Sequence, residues 1–246
     1  MASKGNRSQQ LFVAILGAIF LAATYIAIGY AVCAGVPFVT EKVAAATVDD
    51  ASSPFNKVQL VQGAVATQDY SFGSHDLGAY GDVLREMNYE ASTPYAGTED
   101  IFDAPDEYTV TSEAIAHLDD VHEVSNRLMM PIFGIAAIAA FLLFAGFRMF
   151  GTRLVSNMLI IGGCISAGIL IVLGLWALVS FDSFFAVLHS LFFAQGTWTF
   201  PSDSLLITML PESFWAGIGG VWLAISVLLS ALSVLLGVIL KKRTCK

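Results

Sequence analysis

Four runs of the chain, residues 11–35, 128–147, 154–181 and 214–240, contain no Asp, Glu, Lys, Arg or His. Each reaches the roughly 20 residues that a helix needs to cross about 30 Å of hydrocarbon. A segment immersed in lipid must satisfy its own backbone N–H and C=O groups, so each run is expected to be a helix. A mean hydropathy of +0.71 and 56% hydrophobic residues point away from a soluble protein. The expected fold class is therefore an all-α membrane protein with four transmembrane helices.

Charge orients the spans. All twenty acidic residues fall in two intervening segments, 36–127 and 182–213. Lys4 and Arg7, Arg148 and Arg153, and Lys241, Lys242, Arg243 and Lys246 occupy segments with no acid. Basic flanks mark the cytoplasmic side. The expected layout is a cytoplasmic N-terminus (1–10), TM1 (11–35), an α-helical extracytoplasmic domain (36–127), TM2 (128–147), a cytoplasmic loop (148–153) and TM3 (154–181). An extracytoplasmic interfacial or re-entrant segment (182–213), TM4 (214–240) and a cytoplasmic tail (241–246) complete it.

Lys4, Arg7 and Ala31-Val32-Cys33-Ala34 give the first run some features of a signal peptide. It is longer than an h-region of about 7–15 residues, so an uncleaved anchor is expected. Cys33 and Cys164 lie inside spans and Cys245 in the tail, leaving the outer segments no cysteine for a disulfide or a thiolate zinc site. The net charge of −8 gives no sign of a nucleic-acid partner, and its acidic part solvates the outer loop.

Residues 40–70 are rich in small side chains with little periodicity and read as irregular. Leu77, Tyr80, Leu84 and Met87 then recur at helical spacing, with Asp82, Arg85 and Glu86 on the remaining surface. They predict an amphipathic helix over 76–90, lying on the membrane or the spans, or else an ordinary surface helix. His75 precedes it as a solvated cap-region residue. A second helix is expected after Thr111 or Ser112, either of which can cap it, running on into TM2. On it Glu113, His117 and Asp120 share a face at i, i+4, i+7, a spacing that can fix a histidine tautomer or simply form surface charge pairs. His122, five residues from His117, points elsewhere and makes a weak metal motif.

Segment 182–213 is almost wholly apolar at first, interrupted by Asp182 and His189, which fall on one helical face. Its aromatic density fits an interfacial belt or re-entrant element. A histidine among phenylalanines costs free energy unless it is paired or used. Periodicity alone thus leaves an incidental histidine or an acid/base pair with His117. Gly162-Gly163 and Gly217, Gly219 and Gly220 are expected to permit close helix packing. There is no Gly-x-Ser-x-Gly elbow, His-Glu-x-x-His helix, P-loop or Gly-x-Gly-x-x-Gly, so the usual hydrolase, zincin and nucleotide readings fall away. The spans carry no ionisable residue, which counts against a transporter.

Taken together, two motifs resemble the bacterial lipoprotein intramolecular transacylase family of four-span membrane proteins. One runs from Phe181-Asp182-Ser183-Phe184-Phe185 through Leu188-His189-Ser190-Leu191-Phe192-Phe193, Gly196-Thr197-Trp198, Asp203, Leu205-Leu206-Ile207 and Leu210-Pro211-Glu212 to Phe214. The other is Glu113, His117-Leu118 and Asp120-Val121, with Asn88 and Tyr89 ending the preceding helix. His122 stands where the pattern has a basic residue such as Lys, and no role is carried onto it.

The resemblance implies an enzyme that moves the sn-2 acyl chain of a diacylglyceryl-Cys lipoprotein to its own α-amine. It implies His117 and His189 as the acid/base pair without deciding which is base, with Glu113 or Asp120 orienting His117 and Asp182 orienting His189. Trp198, Asp203, Phe185 and Phe192 are assigned to substrate binding. No cofactor, metal, nucleotide or nucleic acid is expected; the partners are a diacylated lipoprotein and membrane lipid. Two rivals stand beside it: a non-catalytic anchored binding module, and a lipid acyl hydrolase or intermolecular acyltransferase.

Overall fold

The computed structural model describes residues 4–244; Met1, Ala2 and Ser3, and in the tail Cys245 and Lys246, lie outside the described residues. The helices are α1 (Lys4–Gly35), α2 (Pro37–Thr47), α3 (Lys57–Phe72), α4 (Leu77–Glu90), α5 (Ser112–Phe150), α6 (Thr152–Val179), α7 (Phe181–Ser190), α8 (Leu205–Met209) and α9 (Glu212–Arg243), with a 3-10 turn at Ile101–Asp103. No strand occurs among the described residues.

Helices α1, α5, α6 and α9 are long and apolar enough to cross a membrane. Large apolar side chains stand exposed on them, among them Phe133, Phe141, Phe144, Leu178 and Val179. Such a surface is stable only against lipid. Gly151 ends α5 at φ +78, donating its N–H to the Phe147 carbonyl in the left-handed cap that glycine adopts without strain.

The chain divides into two compact units. The first comprises the described parts of Met1–Ala31, Leu128–Val179 and Val221–Lys246. Water exclusion cannot drive helices together inside lipid, so small residues and interhelical hydrogen bonds hold them. Gly162 abuts the Ala18 carbonyl of α1, and Gly163 abuts Ser230 and Val234 of α9. Ser156 Oγ donates to the Gly237 carbonyl (2.7 Å), Ser233 Oγ to the Leu159 carbonyl (2.9 Å) and Tyr25 Oη to Ser233 Oγ (2.6 Å). A Cβ at Gly163 would lie 2.6 Å from the Ser230 carbonyl oxygen. Gly163→Leu is therefore expected to destabilise this unit by about 1–3 kcal/mol, measured as a lower unfolding temperature in detergent; an unchanged temperature would refute the close packing. The expectation for Gly219 and Gly220 does not hold, because nothing among the described residues lies within 4 Å of a Cβ at either, whereas Gly217 meets Val43.

The second unit, Val32–Arg127 with Ser180–Gly220, has its own helical core around Phe55, Leu60, Leu84, Met87, Ile101, Leu205 and Met209. Residues 40–70 are not irregular: α2 and α3 occupy most of them. Pro37 starts α2, and Asn56 and Gln59 form a reciprocal capping box on α3. Periodicity missed α3 because its buried face is small and polar, including Gln59, Gly63, Thr67, Gln68 and Ser71. Two of those polar side chains are bonded to other elements: Thr67 Oγ1 meets Tyr80 Oη at 2.8 Å and Gln68 Nε2 donates to the Ala34 carbonyl at 2.5 Å, while Gln68 Oε1 has no partner among the described residues.

Helix α4 begins after Asp76, whose carboxylate accepts from the Ala79 N–H at 3.0 Å. Its stripe of Tyr80, Leu84 and Met87 is buried in the unit's core, so it packs on protein rather than lying on the membrane; Leu77 alone of that stripe is exposed. Asn88, fully buried, donates to the Leu84 and Tyr108 carbonyls and accepts from Thr93 Oγ1, binding the following loop to α4. His75 is not a solvated cap residue: it is half-buried and stacked between Tyr70 (4.5 Å) and His122 (3.8 Å).

Candidate active site

His117 is placed by the inward stripe of α5. Ala114 and Leu118, one turn apart on either side of it, are buried in the core, and His117 itself is only 9% exposed. The chain that meets it begins on α7. Phe185, His189 and Phe193 follow at i, i+4, i+8, so their rings line one face of the helix and the turn after it. The loop beyond is tied down where Leu205 N–H donates to the Asp106 carbonyl (2.6 Å) and where Ser204 caps α8. That anchorage puts Phe200 beside His117, with ring centroids 5.8 Å apart.

The two imidazoles, 72 residues apart in sequence, lie with centroids 6.2 Å apart. Phe193 packs edge-on to His117 at 4.9 Å and lies 5.6 Å from His189. Phe185 and Trp198 flank His189 at 3.9 and 4.9 Å, and Trp215 backs Phe185 at 6.1 Å. His189 Nδ1 lies 2.9 Å from the Phe185 carbonyl. A carbonyl only accepts, so Nδ1 carries the proton and Nε2 the lone pair. Burial among these rings, and then the neighbouring His189, push the His117 pKa down to about 4. Burial also lowers that of His189, partly opposed by its bond to Phe185. Both rings are thus neutral at pH 7.

Two buried polar atoms here have no hydrogen-bond partner among the described residues, His117 Nδ1 and Trp198 Nε1. Each such atom costs roughly 1–3 kcal/mol, and a native fold retains that cost most readily where the atom has a use.

The carboxylates stand elsewhere. Glu113 is exposed and accepts from Ser112 Oγ (3.3 Å); its own backbone N–H, then the Thr111 and Ser112 hydroxyls, hold its carboxyl below the usual range. Asp120 and Asp182 are exposed, and no hydrogen bond or ion pair joins either to a histidine among the described residues. The i, i+4, i+7 spacing fails because α5 turns His117 inward and leaves both acids outside. His189 takes its orientation from a backbone carbonyl, a contact that composition cannot reveal. Asp203 is exposed in a turn, and Phe192 is 47% exposed at the edge of the cluster. Phe193 and Phe200 join the site beyond the residues that the sequence points to, and the i, i+4 spacing from His189 to Phe193 is the signal for the first of them. No group of three His, Cys, Asp or Glu is placed to hold a metal ion among the described residues.

A family model described as "Lipoprotein intramolecular transacylase Lit" matches residues 84–215, more than half of the chain and both histidines. The chain belongs to the lipoprotein intramolecular transacylase Lit family. It is a transacylase integral to a membrane. The solved structure of Lit from Bacillus cereus is similar over 96% of this chain and 98% of that one, with a TM-score of 0.69 at 15% identity. A form of the Bacillus protein with one histidine replaced by alanine gives 0.67 at 14%, covering 96% of each chain. The form with arginine in that place gives 0.62 at 16%, covering 97% and 96%. At these identities the likeness is one of fold. No curated protein sequence matches the chain. Residues 37–83, which build α2, α3 and the start of α4, fall outside the span matched by the Lit family model.

Proposed function

We propose that this Lit family member moves the sn-2 acyl chain of a diacylglyceryl-Cys lipoprotein to the α-amine of the same cysteine, with His189 as base and His117 as a neutral N–H donor. The observation that carries this is the pairing of two neutral imidazoles at 6.2 Å, the buried His117 with an unpartnered nitrogen and the half-buried His189. Nucleophile and ester belong to one molecule, so no enzyme nucleophile and no acyl-enzyme are needed. Holding the two together supplies effective molarities on the order of 10⁵ M or more.

The steps follow from the protonation states. The α-amine attacks the sn-2 ester carbonyl while His189 Nε2 takes a proton from the attacking nitrogen. The C–O bond to glycerol then breaks, the new amide forms, and the protonated His189 returns its proton to the departing sn-2 oxygen. Charge on the carbonyl oxygen in between is met by N–H donors at His117 and Trp198 Nε1; neutral imidazole serves as an electrophile in such a role when its pKa is held low. The exposed apolar side chains of α7 and the turn after it, Leu188 and Phe192 among them, suit acyl chains or lipid. The charge partition supports the cytoplasmic membrane, both termini in the cytoplasm and a site on the extracytoplasmic side.

The test is mass spectrometry of a synthetic diacylglyceryl-Cys lipopeptide incubated with the purified protein. An N-acyl, lyso product of unchanged mass supports the reading. Free fatty acid without N-acylation would replace it with an acyl hydrolase. Trp198→Phe keeps the aromatic contact with His189 but loses the N–H, and is expected to lower kcat by roughly ten- to a hundredfold with little change in KM. An unaltered kcat would remove Trp198 from the reaction.

A further inference from the structure

A cleft of about 540 Å³ opens in the second unit, away from the two catalytic histidines, between side chains of α2, α3 and α4. Its floor is apolar, including Val61, Val65 and Val83, and its rim carries Asp69, Asp76 and Glu86. No Lys, Arg or His among the described residues lines it. Glu41, a fourth carboxylate at the edge, already pairs with Lys42 at 2.7 Å. The other three meet no basic side chain among the described residues. The surrounding unit deepens the field, since it contains all twenty acidic residues of the chain against four basic ones, Lys42, Lys57, Arg85 and Arg127. An apolar floor beneath an unneutralised acidic rim is complementary to a segment with both aliphatic stems and positive ends, which is what Lys and Arg side chains present. Anionic lipid headgroups would be repelled.

The cleft is tied to the catalytic helix. Tyr70 lines it and donates its hydroxyl to Asp119 Oδ1 at 2.6 Å, two residues from His117 on α5. All but two of its lining residues, Glu86 and Met87, precede the part matched by the family model. It is therefore built mainly by the part of the chain outside that match, where selection of one substrate over another can reside apart from the chemistry.

We propose that this cleft docks a basic stretch of the substrate polypeptide downstream of the lipidated cysteine, and so selects among lipoproteins. The inference rests on the transacylase reading above.

Two lipopeptides with the same lipid and cysteine, one followed by a Lys-rich and one by a Ser-rich peptide, are compared at low salt. The Lys-rich peptide is expected to have about a tenfold higher kcat/KM through KM, with kcat unaltered and the preference lost at high salt. The triple variant Asp69→Asn, Asp76→Asn, Glu86→Gln is expected to erase the preference while turning over the Ser-rich peptide normally. Asn at 76 still caps α4 and Asn at 69 still accepts from Ser74, so the fold is retained. Fluorescence anisotropy of an unlipidated Lys-rich peptide on the parent and on Glu86→Lys reads docking without catalysis. If no lipopeptide is turned over but the peptide binds the parent and not Glu86→Lys, the transacylase reading fails and docking stands. Equal kcat/KM for both lipopeptides, or a preference that survives in the triple variant, overturns the proposal. Peptide binding with no effect on turnover places an independent basic partner in the cleft and overturns its role in substrate choice.

Discussion

Replacing His189 by asparagine is expected to lower kcat/KM for intramolecular acyl transfer by about 10²- to 10⁴-fold, the range of a lost general base. Asparagine is the informative substitution because its side-chain amide can still donate toward the Phe185 carbonyl that His189 Nδ1 meets at 2.9 Å. What disappears is the Nε2 lone pair. Alanine would remove the lone pair together with the ring packed 3.9 Å from Phe185 and 4.9 Å from Trp198, confounding chemistry with packing. The asparagine variant should therefore unfold near the parent's temperature while producing almost no N-acyl product. A variant retaining a third or more of parent activity would remove His189 from the proton transfers.

His117→Phe is expected to separate stability from activity in opposite directions. The site of His117 is already aromatic, with Phe193 at 4.9 Å and Phe200 at 5.8 Å, and its Nδ1 has no partner. A phenylalanine of similar volume removes that buried polar atom and should stabilise the fold by about 1–3 kcal/mol. It also removes the N–H donor, and activity should fall at least about a hundredfold. A pH dependence accompanies this. Folding holds the pKa near 4 against an ordinary 6.5, so between those values the unfolded chain binds a proton that the folded one does not. The parent's stability is thus full above pH 6.5 and declines as pH falls toward 4, by at most about 3 kcal/mol from this residue. The variant should lack that decline. Thermal unfolding from pH 7.5 to 4.5, with turnover at pH 7.5, tests both halves. An active His117→Phe would make His117 a core residue only.

Much of the fold was legible because lipid imposes a rule that composition reports directly. A long run without charge has one stable form in hydrocarbon, and the four spans follow from that. The helix at α4 was equally legible, since Tyr80, Leu84 and Met87 face an apolar core and so repeat every three or four residues. Helix α3 was not, because Gln59, Thr67 and Gln68 are buried by hydrogen bonds to partners that only the fold supplies. His189 could be picked out as a polar residue among phenylalanines and His117 by the carboxylates spaced around it, and family resemblance joined the two. Their supporting contacts could not be picked out, because spacing along a helix gives relative azimuth without saying which side faces inward. By itself the sequence determined the class of protein and the number of spans, both consequences of where charge is tolerated. Tertiary structure alone decided that the carboxylates near them face solvent, that a backbone carbonyl orients His189, and that His117 Nδ1 and Trp198 Nε1 are left without partners. Those facts depend on which surfaces meet, and a linear pattern does not carry that information.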